Sequence, residues 1–159
     1  VLSATGPATA LLRQLSTETG TVNISARLGD QRAIPRTVVG GWPRLLVDGR
    51  NVGAIADSLE GTMPRFSSAR HPRSAIGVSR DSSVLMLVVV DGRRPWSAGM
   101  SLTELADQML ALGAYQAMNL DGGGSSTLWV HGTIVNYPSD AAGERTVGNA
   151  LMVLKRRTP

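Results

Sequence analysis

A chain of 159 residues can bury one real core and is short for two domains; at 42% hydrophobic and 18% charged it is composed like a folded globular protein, not a disordered one. Aromatics are only 4%, so the core has to be aliphatic, and the absence of cysteine excludes disulfides, thiolate metal sites and a cysteine nucleophile. The formal charge of +4 suits an anionic partner, but the arginines are spread along the chain from Arg27 to Arg73 rather than gathered in a basic stripe, which favours an anionic small molecule or glycan over nucleic acid.

No apolar run approaches the roughly 20 residues of a membrane span. Val1-Leu2-Ser3-Ala4 has the makeup of a strand end. Gly6-Pro7 then punctuates, and apolar residues at 8, 11, 12 and 15 predict a short helix over Ala8 to Ser16. Val22, Ile24, Ala26 and Leu28 alternate with polar residues, the pattern of a half-buried strand over Thr21 to Leu28. Leu45-Leu46-Val47 runs into Asp48-Gly49, a hairpin signal. Asn51 to Pro72 shows little periodicity and is expected to be a long surface loop.

A second hairpin is predicted from Ser74–Ser79 and Val84–Val90 around Asp81-Ser82-Ser83. Its return strand is continuously apolar, so it is expected at the centre of the sheet, beside 114–120. Ser101 and Glu104 form a capping box for a helix over 102–112, whose buried stripe is expected to be Leu102, Leu105, Met109, Leu110 and Leu112. Strand, helix, strand implies a right-handed crossover between parallel strands that end in Asp91 and Asp121, on one edge of the sheet. Thr127–Val130 and Thr133–Val135 predict a hairpin over His131-Gly132, Asn136 to Arg145 a polar loop, and Ala150–Leu154 a closing strand. The fold class expected is α+β: a mixed, mostly antiparallel β-sheet with flanking helices and one right-handed βαβ crossover, in a single domain over 1–159.

The stretch Asn119-Leu120-Asp121-Gly122-Gly123-Gly124-Ser125-Ser126-Thr127 ends an apolar run in an acid followed by three glycines. Such a turn either serves tight local geometry or lets backbone N–H groups approach an anion. Spacing alone leaves both readings open.

Taken in order, His71-Pro72-Arg73-Ser74-Ala75-Ile76-Gly77, Val90-Asp91-Gly92-Arg93, the Ser97 to Ala106 helix start, Asn119 to Ser126, Asn136-Tyr137-Pro138-Ser139 and Glu144 to Ala150 resemble the phosphodiester glycosidase family. The likeness runs from about Val38 to Leu154. It implies a glycosidase that hydrolyses a sugar 1-phosphodiester, here in a bacterial cell-surface or extracellular glycan, and hence a secreted or cell-surface protein. An Asn-Gly-Gly-Phe-Phe-like motif that family domains carry earlier is not found, and the first residue is Val1. The expectation is therefore a chain that begins midway through the family domain, with an associated N-terminal fragment or a homo-oligomer covering its first strand.

Hydrolysis at an anomeric carbon passes through an oxocarbenium-like state that carboxylates stabilise, while the departing phosphate wants cations and N–H groups. Asp121 is the first candidate, against an Asx-turn as the plain alternative. Asp91 and Arg93 share the other strand end, where a salt-bridged turn is the competing reading. The resemblance adds Glu144 as a third acid and Arg145 beside it, and raises Arg73, which precedes a strand, from a solvated surface arginine to a phosphate fork. Ser74, Gly122, Gly123, Gly124, Ser125, Ser126, Asn136, Ser139 and Asn149 complete the candidate substrate-binding set. Trp42 and Trp96 can stack on a sugar or fill the core. Two further classes stand beside the glycosidase: a non-catalytic glycan- or anion-binding module, and a serine hydrolase using Ser125 or Ser126, for which neither His71 nor His131 is an obvious base. No cofactor is expected; no His/Cys cluster suggests a transition metal, and the minority reading has Asp91, Asp121 and Glu144 sharing calcium.

Overall fold

In a computed structural model of the chain, residues 6–17, 37–63 and 65–155 are described. Two units separate, 1–38 and 39–159. In the first, helix α1 spans Ala8–Thr17 as its apolar spacing predicts, with Gly6-Pro7 leading in. The strand expectations over Val1–Ala4 and Thr21–Leu28 lie outside the described residues.

The second unit is built on a five-stranded sheet. Its strands are β1 (Arg44–Val47), β2 (Arg50–Asn51), β3 (Arg73–Val78), β4 (Leu85–Val90) and β5 (Gln116–Asn119), in the order β2-β1-β5-β3-β4. Every neighbouring pair is antiparallel. The fold is α+β on a mostly antiparallel sheet. Helices α2 (Ala56–Glu60) and α3 (Leu102–Ala111) accompany the sheet, and a separate hairpin, β6 (Trp129–Val130) with β7 (Thr133–Ile134), turns at His131-Gly132.

Asp48-Gly49 makes the turn between β1 and β2, and both residues have positive φ. Between β3 and β4 the Asp81 carboxylate accepts from Ser79 Oγ at 2.6 Å and from Ser83 N at 3.1 Å, an Asx-turn that fixes the register from Arg73↔Val90 to Val78↔Leu85. Helix α3 starts where the capping box puts it: Ser101 Oγ accepts from Glu104 N, and Glu104 accepts from Ser101 N.

The core lies between α3 and the sheet. Leu102, Leu105, Ala106 and Met109 are fully buried against Leu45, Leu46, Ala75 and Ala117. Each large side chain of this set contributes about 1.5–3 kcal/mol through its burial. Leu110 and Leu112, expected in the stripe, are 42% and 50% exposed; Ala106 takes the place on the buried face. A ten-residue helix presents one narrow stripe to the sheet, and 110 falls off it.

Three expectations are corrected. The 84–90 strand is not central among the described residues: there β4 sits at the edge of the sheet and pairs only with β3, which stands between it and β5. An unbroken apolar run reports partial cover on two faces, and β4 has that: Met86, Val88 and Val90 pack on the core from one face, and Leu87 and Val89 on the other are half-buried; the run does not report how many strands flank it. Segment 51–72 is not a plain surface loop. It holds a 3₁₀ turn at Gly53–Ile55 and α2, and Thr62, Ser67 and Pro72 are buried. Ala150–Leu154 forms no strand.

β4 and β5 both run antiparallel to β3, so they point the same way and α3 carries the chain across from one to the other. Their C-terminal ends, at Val90 and Asn119, therefore open on one edge of the sheet, where Arg73 begins β3.

Candidate functional site

At that edge lies a cleft of about 680 Å³. Its floor is the glycine turn, which enters a 3₁₀ turn at Gly123–Ser125. Gly123 has φ +62 and lies 3.4 Å, from where a Cβ would stand, to the Arg93 guanidinium. At Gly124 a Cβ would run into the Asp140 carboxylate and Arg145 Nη2. A Cβ at Gly122 would meet the Pro72 carbonyl at 2.8 Å, so backbone, a positive φ and an ion pair in turn leave these three positions no room for a side chain. Asp121 opens the turn. It is exposed to the cleft, and its Oδ1 accepts from Gly122 N at 2.9 Å.

Arg73 lines the cleft beside this turn. On β3 the alternation places Arg73, Ala75 and Gly77 on the buried face. Arg73 is 2% exposed. Its Nε donates to Met100 O at 3.0 Å, and its Nη2 donates to Phe66 O at 2.9 Å and Ala69 O at 2.8 Å. The Phe66 ring lies beneath it, 4.9 Å from centroid to Cζ. No carboxylate pairs with it among the described residues. Burial, and then the charge of Arg93, press its pKa downward, but a guanidinium stays protonated. A buried, unneutralised cation therefore faces the cleft beside Asp121.

The loop that supplies the two carbonyls is held from below. Asp57, in the first turn of α2, accepts from Thr62 Oγ1 and from Ser67 Oγ at 2.7 Å, while Leu102 N at the head of α3 donates to Ser67 O at 2.8 Å. Phe66 stacks on Trp42 at 5.5 Å, and Trp42, 41% exposed, extends this aromatic shelf along the cleft wall.

Of the residues singled out from sequence, Asp121, Gly122, Gly123, Gly124, Arg73, Arg93 and Arg145 line the cleft. Arg145 is held bidentately by Asp140, at 2.8 and 3.1 Å. Asp91 does not converge with them. Its Oδ1 accepts from Asn136 Nδ2 at 3.0 Å and Tyr137 N at 2.9 Å, and its carbonyl accepts from Ser97 Oγ at 2.6 Å. It is a clamp that ties the 136–137 segment to the end of β4. Asn136 is spent in the same clamp, bonding also to Leu128 N and Ser126 O. Glu144 and Asn149 are exposed and lie outside the cleft lining, as do Ser74, Ser125 and Ser139. Ser126 is 1% exposed and its Oγ meets Ser74 Oγ at 3.2 Å. Neither Ser125 nor Ser126 meets a histidine, and His131 sits exposed at its hairpin turn, so a serine–histidine pair is not assembled among the described residues. Trp96 lies outside the lining, edge-on to Tyr137. The acids weighed for calcium are not gathered: no group of three His, Cys, Asp or Glu side chains able to hold a metal occurs among the described residues.

Four cleft or cleft-shaping residues received no role from sequence. Phe66 is hidden in an unpatterned segment. Asp140 betrays itself only by preceding Arg145 in one polar loop. Asn119, 3% exposed, donates its amide to Trp42 O and Leu120 O, and its buried Oδ1 has no partner among the described residues. His71 opens the motif that carries Arg73, and only the folded geometry shows what its ring meets.

A profile of the phosphodiester glycosidase family matches residues 5–154. The chain belongs to the phosphodiester glycosidase family. Within this family of hydrolases acting on glycosyl phosphodiester bonds, it is 40% identical over 80 residues to the N-acetylglucosamine-1-phosphodiester alpha-N-acetylglucosaminidase of Bos taurus, a match covering 50% of this chain and 15% of that one. It is 38% identical over 86 residues to the prophage-derived protein YomE of Bacillus subtilis, covering 54% of this chain and 13% of the relative. Among solved structures, the catalytic domain of the zebrafish N-acetylglucosamine-1-phosphodiester alpha-N-acetylglucosaminidase, auto-inhibited by its pro-peptide, superposes with a TM-score of 0.57 at 29% identity, over 64% of this chain and 35% of that one. The phosphodiester glycosidase chain described here thus spans a minor part of the length of these relatives.

Proposed function

We propose that this chain carries the anion-binding half of a phosphodiester glycosidase site, which hydrolyses a sugar 1-phosphodiester and releases the sugar. The observation that carries the reading is Arg73: a buried guanidinium held by three backbone carbonyls, without an acid to neutralise it among the described residues, in one cleft with Asp121 and the glycine turn. The phosphodiester lies against Arg73 and Arg93, with the backbone of Gly122–Gly124 beneath it. Trp42 offers its face to the sugar ring. Asp121 stands by the anomeric carbon and stabilises the positive charge that develops there. Gly124 brings Arg145 close, though Asp140 already neutralises it.

Glycosidases use two carboxylates in most cases, and among the described residues only Asp121 lines the cleft as a free acid. The second is proposed to come from Glu144 through movement of its exposed loop, or from polypeptide beyond the described residues, including an associated N-terminal fragment or a second copy. Native mass spectrometry of the preparation distinguishes these sources. The same shortage favours one alternative, a glycan- or anion-binding module without turnover.

Incubation with a panel of glycosyl 1-phosphodiesters in ¹⁸O-labelled water separates the readings. A glycosidase yields free sugar carrying the label and an unlabelled phosphomonoester. Label in the phosphate means P–O cleavage and overturns the assignment; binding without turnover supports the module. The setting proposed is a bacterial cell-surface or extracellular glycan, and fractionating producing cells checks it. No helix among the described residues is long and apolar enough to cross a membrane.

A further inference from the structure

His71 lies at the cleft with its backbone locked on both sides. It exchanges hydrogen bonds with Met100, at 3.2 Å and 3.0 Å, and Gly99 backs directly onto its carbonyl. The ring is therefore aimed by a fixed backbone. Its Nδ1 stands 3.5 Å from Arg93 Nη2. A guanidinium nitrogen can only donate, so Nδ1 is the acceptor and the neutral ring carries its proton on Nε2. Partial burial, and then Arg73 and Arg93 on either side, push the imidazole pKa below its ordinary 6.5. At neutral pH the ring is uncharged, with one N–H whose direction Arg93 has decided. Nε2 has no protein partner among the described residues.

We propose that His71 is a further catalytic residue: a neutral, Nε2-protonated imidazole that donates a hydrogen bond to the phosphate oxygen departing from the anomeric carbon. This rests on the glycosidase reading of the same cleft. In the step, the C1–O bond breaks and its electron pair stays on the phosphate oxygen. Water adds its oxygen to C1 and releases one proton through the Asp121 carboxylate to solvent. The products are the free sugar and a phosphomonoester, and His71 keeps its proton throughout. Retention fits the chemistry: a phosphomonoester has its second pKa near 6, so at neutral pH the departing oxygen gains from a donor without needing a full proton. An imidazolium would instead add a third cation beside Arg73 and Arg93, which already hold the charge. Arg93 thereby has two tasks, touching the anion and fixing the tautomer of its neighbour.

The test compares the full chain with its His71→Ala and His71→Gln variants on a series of N-acetylglucosaminyl and glucosyl aryl 1-phosphodiesters, whose aryl groups vary the basicity of the leaving phosphate. With the wild type active, His71→Ala should lower kcat/KM by roughly 10²–10³-fold for the most basic leaving group. The loss should shrink steadily as the leaving group becomes less basic. The Gln amide N–H reaches the place of Nε2, so His71→Gln should recover part of the loss. A defect of equal size at every leaving group, or none, overturns the proposal while the glycosidase reading stands; a wild type inert on the whole series sinks both. A second measurement needs no turnover. The chain has two histidines, so ¹⁵N NMR of the imidazoles, assigned with a His131→Gln variant, reads the His71 tautomer directly. At pH 7 the Nε2–H form is expected, and the Nδ1–H form or an imidazolium overturns the proposal.

Discussion

Arg73 shows how a charge can be buried and remain useful. Bringing a cation out of water costs several kcal/mol unless dipoles replace the solvent. Here the carbonyls of Met100, Phe66 and Ala69 and the face of Phe66 replace it. Because dipoles and a ring do this without a carboxylate, the positive potential is left for an incoming anion. Lysine offers a point charge and cannot span the three carbonyls. Arg73→Lys should therefore weaken glycosyl phosphate binding, measured by calorimetry, by roughly 10- to 100-fold, the worth of a lost charge-assisted hydrogen bond. Unchanged affinity would mean that the anion is held elsewhere. At Asp121 the two readings part cleanly. The Oδ1 that caps Gly122 N is preserved in asparagine, whereas the negative charge is not. Asp121→Asn should keep the melting temperature of the wild type and lose turnover by two orders of magnitude or more, on the order of what a charged catalytic group supplies. A melting temperature that falls while activity survives would return Asp121 to a turn-forming role.

At the scale of elements, helix α3 is where pattern and structure agree best, and its cap is ionic. Glu104 is bonded by Arg70 and by the backbone and side chain of Ser101, and these hold its carboxyl at about 2, below its ordinary 4.5. A depressed carboxyl contributes stability that is present above the unfolded pKa and lost as pH falls through the folded one. The difference in stability between wild type and Glu104→Gln should thus be constant well above pH 4.5, shrink as pH falls through the window between 4.5 and about 2, and be gone only below it. Because the pair is exposed, added salt should reduce it. A difference that does not shrink between pH 4.5 and 2 would locate the effect in packing rather than charge. This element was legible because its information is local: Ser101, Glu104 and the stripe Leu102, Leu105, Met109 lie within nine residues of sequence. The hairpin at Asp81 was legible for the same reason. What eluded the sequence is long-range. Asp91 has the residue type and position of a catalytic acid, and only a partner 45 residues away, Asn136, takes it out of the cleft. The cradle of Arg73 is made of carbonyls, which every residue has, so nothing in the 51–72 segment could announce it.

For the molecule as a whole, topology decided which candidates met. The antiparallel register Arg73↔Val90, together with β4 and β5 pointing the same way, brings Arg73, Arg93 and Asp121 to one edge even though the strand order was read differently. The misread strand has a consequence of its own. Among the described residues β4 is an edge, with no charge, proline or glycine from Val84 to Val90, and Val84 and Leu85 are about half exposed. Natural sheets blunt such borders to prevent them from templating the addition of foreign strands. Left bare in solution, this one is a seed for cross-β stacking and for exchange of the 73–90 hairpin between molecules. Leu85→Lys places a gatekeeper on the exposed start of the strand, where a substitution should change stability by no more than about 0.5 kcal/mol. Light scattering and thioflavin fluorescence of concentrated stocks should then rise more slowly for Leu85→Lys than for the wild type. Equal rates would mean that the border is already sheathed in the particle that exists in solution, and that its stickiness has been spent on assembly.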